Sequence, residues 1–312
     1  MTEMMKQADA FGETLFQLAE KDERVVAVDA DVAIRMGTRF LMNKYPHRHI
    51  DVGIAEQNMI GVSAGLATAG KIPFAGTIAT FATGRTYDQI RQSVAYPNLN
   101  VKIVGGYSGI CVGQDGPTHQ ACEDISLMRG LPNFRVLVPC DPLETRQATV
   151  LAYKTQGPVY LRLIRHAIPT ILPPDYEMKL GKAFLLREGS DVTIIACGIM
   201  VETALKAAVE LEKQGISARV LNMSTIKPFD IDTVLTAAKQ TGRIITVEDH
   251  SIYGGLGSAV AEVIAEAGIG KLCRIGIPDC FGESCLYCDL FEKFGLTVDN
   301  IVKKAIEILK DT

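Results

Sequence analysis

Apolar runs of strand length alternate along the chain with segments in which apolar residues recur at helical spacing. In the first half of the chain the predicted strands are Val25–Val28, His49–Asp51, Pro73–Gly76, Val101–Val104, Arg135–Val138 and Val159–Leu163. Strands that alternate with amphipathic helices favour a mostly parallel sheet covered by helices on both faces. The pattern therefore predicts the α/β class.

A break in this alternation predicts a boundary between two domains. Residues 168–182 contain Pro169, Pro173 and Pro174 followed by charged residues, which is typical of a linker. Beyond it we predict strands and helices at Val192–Ala196, Val201–Gln214, Ala218–Leu221, Ile244–Val247, Gly257–Ala267, Arg274–Ile277 and Val298–Leu309. We expect a first domain over residues 1–172 and a second over residues 173–312, each a mostly parallel sheet covered by helices.

Composition and charge narrow the classes of function. With 312 residues, of which 47% are hydrophobic, the chain is long enough for two domains that each have a buried core. The net charge is −4, and no run of Lys or Arg is dense enough to follow a phosphate backbone, so a nucleic-acid partner is not expected. We find no secretory signal and no apolar stretch of the roughly 18 residues that a membrane span needs. We therefore expect a cytoplasmic protein without a membrane segment.

The eight cysteines are divided between apolar strand-like segments and one late cluster. Cys140 and Cys197 stand in apolar surroundings, where a thiol packs as a small hydrophobic group. The late cluster consists of Cys273, Cys280, Cys285 and Cys288 and ends in a C-x-x-C pair. Such a pair can hold zinc or form a redox disulfide, but the spacing alone is a weak signal without a second pair of ligands. We expect thiols of loops and strands and no metal site.

The first segment with chemical information places a carboxylate between a strand and a helix. Glu56 follows the predicted strand His49–Asp51 and begins a run of mostly small and apolar residues that extends to Ala67. A carboxylate that is poorly solvated in such surroundings can exchange a proton with a bound group. The competing interpretation is a glutamate that binds the free N–H groups of the first helical turn.

The second segment places an acid and an imidazole on either side of a Gly-Pro turn. Asp115 and His119 are close enough in sequence to converge on one small polar substrate. The carboxylate would accept hydrogen bonds from the substrate, and the imidazole would move a proton. An ordinary Asp-Gly turn beside a solvated histidine explains the same residues equally well.

In this order the two segments resemble the pyrimidine-binding domain of transketolases, and the likeness covers nearly the whole chain. It includes Gly76–Phe81, the sequence DGPTHQ at residues 115–120, Leu131–Asn133, the strand ending at Arg165, Glu248–His250, Gly254–Ala259 and Phe281–Ser284. No single motif is decisive, but their order over two domains is specific. The resemblance implies a transferase that depends on thiamine diphosphate and moves a two-carbon ketol unit between sugars.

The resemblance also assigns roles to particular residues. Glu56 is similar to the glutamate that protonates N1′ of the cofactor's aminopyrimidine ring, Phe81 to the aromatic residue that stacks on this ring, and Ile78 lines the same pocket. His119 and Asp115 resemble the residues that contact the sugar hydroxyls next to the reactive carbonyl. Arg165 resembles the arginine that binds the substrate phosphate, for which a planar guanidinium is suited.

The half of the family's site that binds the diphosphate is missing from this sequence. It would contain a GDG motif followed by an asparagine pair, whose oxygens hold Mg²⁺, and we find no such pair in the chain. We therefore expect an N-terminal transketolase subunit as an obligate partner, the Mg²⁺ ligands from that partner, and an α2β2 heterotetramer. This chain itself is expected to supply no metal ligand.

The sequence departs from the family at the substrate end. Tyr107 replaces a histidine that usually contacts the phosphate, Gln114 replaces a glutamate, and Arg35 stands where a small serine is usual. The guanidinium gained at Arg35 and the imidazole lost at Tyr107 preserve an anion site but alter its shape. The expected donor is therefore a phosphorylated ketose or another anionic ketose, such as a sulfonated one. The segment around Thr83–Thr86 is one residue longer than in related families, which could shift the assignments of Ile78 and Phe81.

Three alternatives remain open at this point. The β subunit of a 2-oxo acid dehydrogenase shares the fold and the glutamate, but it lacks a segment like DGPTHQ. Deoxyxylulose-phosphate synthase shares the aspartate and the histidine and is normally a single chain, so a split version is the second alternative. The third is a non-catalytic scaffold subunit that has kept only the fold.

Overall fold

The computed structural model describes residues 4–310, and its first half is built on a large sheet. The strands are β2 (Val25–Asp29), β3 (His49–Asp51), β4 (Ile72–Ile78), β5 (Lys102–Gly106), β6 (Arg135–Leu137) and β7 (Val159–Arg162), joined by β12 (Thr225–Lys227) from the second half. Their order is β12-β6-β7-β5-β4-β2-β3, and all pairs are parallel except β12 with β6.

Helices cover both faces of this sheet. They are α1 (Gln7–Lys21), α2 (Ala33–Met36), α3 (Arg39–Lys44), α4 (Glu56–Thr68), α5 (Tyr87–Gln89), α6 (Asp124–Gly130) and α7 (Pro142–Lys154). Short 3-10 helices lie at Pro46–Arg48 and Ile110–Asp115, and π-helices lie at Phe81–Arg85 and Ile90–Ala95. All five residues of β2 are buried, as expected for a parallel strand with both faces covered.

The second half contains a smaller sheet in the order β14-β13-β10-β11-β9. Its strands are β9 (Phe184–Arg187), β10 (Val192–Ala196), β11 (Ala218–Asn222), β13 (Arg243–Ser251) and β14 (Lys271–Ile277). Only β9 runs antiparallel to its neighbour among these described strands. The helices are α8 (Met200–Glu212), α9 (Ile231–Thr241), α10 (Leu256–Ala267), α11 (Tyr287–Lys293) and α12 (Val298–Lys310).

This architecture confirms the predicted fold class, and three details differ from the expectations. The strand β7 ends at Arg162, so Arg165 lies in the following loop and not at a strand end. Part of the predicted linker forms β8 (Ala167–Pro169), which pairs antiparallel with β1 (Met4–Lys6). The strand β12 leaves the second half and joins the first sheet. Each of these pairings joins segments that are far apart in the sequence, and a hydrophobic pattern indicates strands but not their partners, which is why the pairings were not predicted.

The boundary between residues 172 and 173 stays a prediction. Within residues 4–310, no helix is both long and apolar enough to cross a membrane.

Candidate active site

A cavity of about 670 Å³ opens where three neighbouring strands of the first sheet end. Its walls include residues that follow the carboxyl ends of β2, β3 and β4, which is the edge where open α/β sheets bind ligands. The predicted residues among its lining are Arg35, Glu56, Ile78, Phe81 and His119. The fold therefore brings five of the eight predicted site residues to one place.

Glu56 is the first residue of α4, and its carboxylate points to an arginine. Its side chain is 4% exposed, and its Oε2 accepts a hydrogen bond of 2.9 Å from Nη1 of Arg85. The helix begins without a side-chain cap at Ala55. Because the carboxylate binds an arginine from another segment, the interpretation as a glutamate that only satisfies its own helix does not describe this contact.

Phe81 lies beside Glu56, and two side chains contact its ring. The imidazole of His119 meets the ring edge-on, with centroids 5.1 Å apart and planes at 73°. Cζ of Arg85 lies 4.2 Å from the ring centroid. Ile78, at the end of β4, is buried in the same wall. A carboxylate, an aromatic face and an aliphatic wall are the groups that a planar nitrogen heterocycle needs.

The segment in which an additional residue is expected forms a π-helix. A π-helical turn contains one residue more than an α-helical turn, so Phe81–Arg85 can include an additional residue without shifting the residues before it. Thr83 and Thr86 donate their hydroxyl hydrogens to the carbonyl oxygens of Ala79 and Ala82, at 2.7 and 2.8 Å. Ile78 and Phe81 both line the cavity, and the additional residue in this segment stays a prediction.

Two loops at the cavity are held together by one carboxylate. Oδ1 of Asp51 accepts hydrogen bonds from the backbone N–H groups of Asp31, at 3.0 Å, and Gly53, at 2.9 Å. Asp31 has a positive φ of 59°, a conformation that Asp tolerates better than most residues. Asp31 and Asp51 both line the cavity. Neither residue was predicted as part of the site, although Asp31 follows the predicted strand Val25–Val28 and Asp51 ends the predicted strand His49–Asp51.

The remaining predicted residues form a second group beside the turn that carries His119. Nη1 of Arg165 lies 3.0 Å from Oδ1 of Asp115 and donates to the carbonyl oxygen of Val112 at 2.9 Å. Its Cζ lies 5.2 Å from the centroid of the Tyr107 ring. Arg35 instead lines the cavity with Glu56. The structure thus brings Tyr107, Asp115 and Arg165 together, whereas Arg35 lies with the residues that line the cavity.

A buried polar cluster connects this group to the second half of the chain. Arg162 donates to Oδ2 of Asp124 at 2.8 Å and to the backbone carbonyl of Asp249 at 2.8 Å. Oδ1 of Asp249 accepts from the N–H of Ile110, the first residue of the 3-10 helix that ends at Asp115. Asp249 therefore supports the segment that carries one of the predicted substrate contacts.

Burial controls the protonation of this cluster. Desolvation raises the pKa of Asp249 to about 7 and that of Glu248 to about 7. Desolvation also lowers the pKa of His250 to about 4, and its Nε2 accepts from the N–H of Ser126 at 3.4 Å, which fits a neutral ring. The sequence showed these residues only as part of a family motif, without a role.

Two of the four late cysteines lie beside one carboxylate. Sγ of Cys285 and Sγ of Cys288 lie 3.4 and 3.8 Å from the two oxygens of Asp289. All eight cysteines are free thiols. Among the residues that the structure describes, no group of three or more His, Cys, Asp or Glu side chains could hold a metal ion.

Comparison with known proteins agrees with this geometry. Residues 3–170 match the family model of the transketolase pyrimidine-binding domain, and residues 181–301 match that of the transketolase C-terminal domain. A 6-deoxy-6-sulfo-D-fructose transketolase subunit, SqwH, of Clostridium sp. (strain MSTE9) is 49% identical over 96% of this chain and 93% of its own length. One of the subunits of an apulose-4-phosphate transketolase of Phocaeicola vulgatus is 40% identical over 96% of both chains.

A solved structure shows the same two-domain arrangement. It is described as a split-gene transketolase in an inactive β4 tetramer, and it superposes with a TM-score of 0.91 at 44% identity over 98% of both chains. These matches confirm the resemblance inferred from the motifs. The chain therefore belongs to the transketolase family of thiamine-diphosphate-dependent transferases, as a separate subunit of a split enzyme.

Proposed function

We propose that this chain supplies the pyrimidine side of the active site in a two-subunit transketolase, which transfers a two-carbon ketol unit from an anionic ketose to an aldose. The observation that carries the proposal is the buried carboxylate of Glu56 beside the ring of Phe81 in one cavity. The boundary at residue 172 divides the chain into the pyrimidine-binding domain and the C-terminal domain.

The cavity fits the aminopyrimidine ring of thiamine diphosphate. Glu56 would hold and return the proton at N1′, since its side chain is shielded from water and lies at the cavity wall. Phe81 and Ile78 would bind the two sides of the ring and exclude water. When bound, thiamine diphosphate supplies the chemistry that breaks and forms the carbon–carbon bond.

The sugar would lie between the cavity and the Asp115 group. His119 touches Phe81 and is therefore next to the reacting end, where its imidazole can bind a hydroxyl group and move its proton. Asp115 would accept hydrogen bonds from the sugar hydroxyls, and it also orients Arg165 through their ion pair. Arg165 and Tyr107 would contact the anionic end of the donor, with Arg35 as a further cation on the cavity side.

Both a phosphate and a sulfonate are candidate anionic groups. The SqwH relative carries the name of a sulfonated fructose, and the relative from Phocaeicola vulgatus carries that of a sugar phosphate. Since Tyr107 replaces a histidine and Arg35 replaces a serine, the site differs in shape from that expected for ordinary ketose phosphates. We therefore include sulfonated ketoses among the proposed donors.

An N-terminal partner subunit would complete the site. The 312 residues contain no GDG motif with a following asparagine pair, so the Mg²⁺ ion and the diphosphate would bind to the partner. The solved relative composed of β subunits is described as inactive, which supports the requirement for a second type of subunit. We propose an α2β2 heterotetramer.

The test is reconstitution. The chain is co-purified with a candidate N-terminal transketolase subunit and assayed with thiamine diphosphate, Mg²⁺, and phosphorylated and sulfonated ketoses as donors. We expect ketol transfer by the complex and none by either subunit alone. Formation of deoxyxylulose phosphate from pyruvate would favour the split synthase, and a complex without any turnover would favour the scaffold role.

A further inference from the structure

The segment that leads into α11 is hydrogen-bonded to the loop that carries Asp115. Oγ of Ser284 donates to the backbone carbonyl oxygen of Gln114, the residue directly before Asp115. Nε2 of Gln120 donates to the backbone carbonyl oxygen of Glu283 at 2.8 Å. The second half of the chain therefore binds this loop on both sides of Asp115.

The two backbones also approach each other closely at Gly113. The φ angle of Gly113 is 75°, and a Cβ built on this residue would lie 3.2 Å from the carbonyl oxygen of Cys285 and 3.5 Å from the backbone nitrogen of Tyr287. A left-handed conformation and a tight space both favour glycine. The contact of the loop with residues 283–287 therefore involves the main chain and does not depend on side-chain rotamers alone.

The ring of Tyr287 contacts the other loop of the proposed substrate group. It stacks on the imidazole of His166, with centroids 4.2 Å apart and planes at 29°. Desolvation lowers the pKa of His166, which favours an uncharged ring. His166 directly follows Arg165, so the stack fixes the backbone beside this arginine.

The same tyrosine packs against a small apolar cluster that joins the two loops. The cluster consists of the buried residues Cys111, Ile164 and Ile168, and the rings of Tyr287 and Phe291 pack against it. Cys111 belongs to the 3-10 helix of the first loop, and Ile164 belongs to the loop after β7. The start of α11 thus contacts both partners of the ion pair through apolar groups as well as hydrogen bonds.

The ion pair is too weak to fix its own geometry. Nη1 of Arg165 lies 3.0 Å from Oδ1 of Asp115, and both side chains are about one third exposed. Such pairs contribute little in water, because solvent screens the charges. Stacked rings that also bury apolar area hold two segments together more firmly.

We propose that Tyr287 is a positioning residue for the anionic end of the donor, which it serves by holding the Arg165 loop and the Asp115 loop against one another. This inference rests on the proposed function of Asp115 and Arg165. It gives the second half of the chain a part in substrate recognition, since Tyr287 acts through His166 and the apolar cluster.

Loss of the ring should affect capture of the donor more than the chemical step. A displaced guanidinium binds the anionic end less well, whereas the groups at the reacting carbonyl keep their places. We expect KM for an anionic ketose to rise by about fivefold to tenfold, which is the range that a stacked aromatic pair contributes. The value of kcat should change little, and an uncharged ketose should be affected much less.

The experiment is steady-state kinetics of the reconstituted complex. The anionic donor is fructose 6-phosphate or 6-deoxy-6-sulfo-D-fructose, whichever the wild type prefers, and fructose is the neutral one. Tyr287→Ala should show the rise in KM, and Tyr287→Phe, which keeps the ring, should restore the wild-type value. His166→Ala should match Tyr287→Ala, and the double variant should be no worse than either, since all three remove the same contact. Tyr253→Ala, at an exposed tyrosine of the same half, is the matched control and should behave like the wild type.

An unchanged KM in Tyr287→Ala, or equal losses of kcat/KM for both donors, would overturn the inference while the proposed function stands, because the wild type still turns over. A wild-type complex without ketol transfer would instead count against the proposed function. Hydrogen exchange of the full chain alone then decides the inference. Tyr287→Ala should speed the exchange of N–H groups in residues 110–120 by about fivefold, and unchanged rates would overturn it. If Tyr287→Ala does not fold, His166→Ala serves in both measurements.

Discussion

The chemistry of the site depends on the surroundings of single residues. Glu56 combines a position in the first turn of α4 with nearly complete burial and an arginine partner. Other glutamates of the chain occupy first helical turns too, for example Glu202, which pairs with Lys206 in α8. What distinguishes Glu56 is its place in the wall of a cavity next to an aromatic ring.

Replacement of Glu56 by glutamine should abolish proton exchange at C2 of the cofactor. An amide cannot donate and recover the N1′ proton, while it has the size of the carboxylate and should preserve the fold. In the reconstituted complex, exchange at C2 of thiamine diphosphate can be followed by NMR. Glu202→Gln, the same change in another first turn, should leave exchange at the wild-type rate. Persistent exchange in Glu56→Gln would remove Glu56 from the mechanism.

Replacement of Arg165 by alanine should reduce kcat/KM for an anionic ketose much more than for a neutral analogue. Arg165 is about one third exposed and shares its charge with Asp115, so the expected loss is roughly 10-fold to 100-fold. Steady-state kinetics with a phosphorylated or sulfonated donor and an uncharged ketose give the comparison. Equal losses for both donors would show that Arg165 only supports the loop through Asp115.

Substitution of Arg35 and Tyr107 by the residues usual in the family tests whether these two positions determine the choice of donor. The double variant Arg35→Ser/Tyr107→His restores the residues expected for the family and should shift the preference toward ordinary ketose phosphates, because it rebuilds the usual shape of the anion site. The ratio of kcat/KM values for phosphorylated and sulfonated donors measures this shift. An unchanged ratio would mean that neither residue determines the choice of donor.

The predicted residues and the missed ones, Arg85 among them, show what a sequence reveals about a site. Glu56, Phe81 and His119 could be identified because they stand in motifs with recognisable neighbours. Arg85 could not, since its contact with Glu56 depends on a π-helical turn that brings two side chains from different segments together. Contacts of this kind follow from the geometry of a turn and not from residue spacing along a regular element.

At the scale of elements, the hydrophobic pattern predicted most strands of the two sheets, including the three-residue strands β3 and β6, and missed β1, β8, β9 and β12. Val192–Ala196 was predicted with its observed bounds, because five consecutive buried residues give a strong pattern. The strands β8 and β12 depend on contacts with distant partners. In β12, Lys227 donates to the carbonyl oxygens of Arg129 and Leu131, which attaches this strand to the end of α6.

Asp141 is expected to be a major determinant of stability, because one buried carboxylate serves two elements. Its Oδ1 caps α7 through the N–H of Glu144 at 2.7 Å, and its Oδ2 accepts from the N–H groups of Ile171 and Leu172, both at 2.9 Å. Asp141→Ala should reduce the free energy of unfolding by about 2–4 kcal/mol, since it leaves buried N–H groups without partners.

Urea unfolding followed by circular dichroism measures this loss. The matched control is Asp299→Ala, which removes an exposed aspartate from the first turn of α12 and should cost less than about 1 kcal/mol. A similar small loss in both variants would show that water replaces the hydrogen bonds of Asp141.

At the scale of the whole molecule, the two sheets are connected through polar groups as well as apolar ones. Arg162 of β7 donates hydrogen bonds to the carboxylate of Asp124 in α6 and to the backbone carbonyl of Asp249 in β13. All three side chains are buried. Oδ2 of Asp249 has no hydrogen-bond partner among the described residues. The alternating pattern predicted the two sheets, but it could not predict that charged residues would be enclosed between them, since that depends on how the sheets pack.

The enclosed carboxyl group of Asp249 predicts a particular dependence of stability on pH. Desolvation raises its pKa from 3.8 to about 7, so between these values the folded protein binds a proton that the unfolded chain has lost. The stabilisation is complete below about pH 4 and is lost as the pH rises through about 7. The contribution to the free energy of unfolding falls by up to about 1.4 kcal/mol for each pH unit in this window.

Asp249→Asn isolates this contribution. The asparagine can still accept from the N–H of Ile110 but does not titrate, while Glu248 and His250 are present in both proteins and largely cancel in the difference. The stability of the wild type relative to Asp249→Asn should therefore decrease steadily from pH 5 to pH 7 and then level off. Urea unfolding at half-unit steps of pH measures it, with the exposed Asp279→Asn as a control that should show no such slope. A difference that stays constant or increases with pH would mean that Asp249 is ionised in the folded protein, with Arg162 providing enough compensation to keep the charge buried.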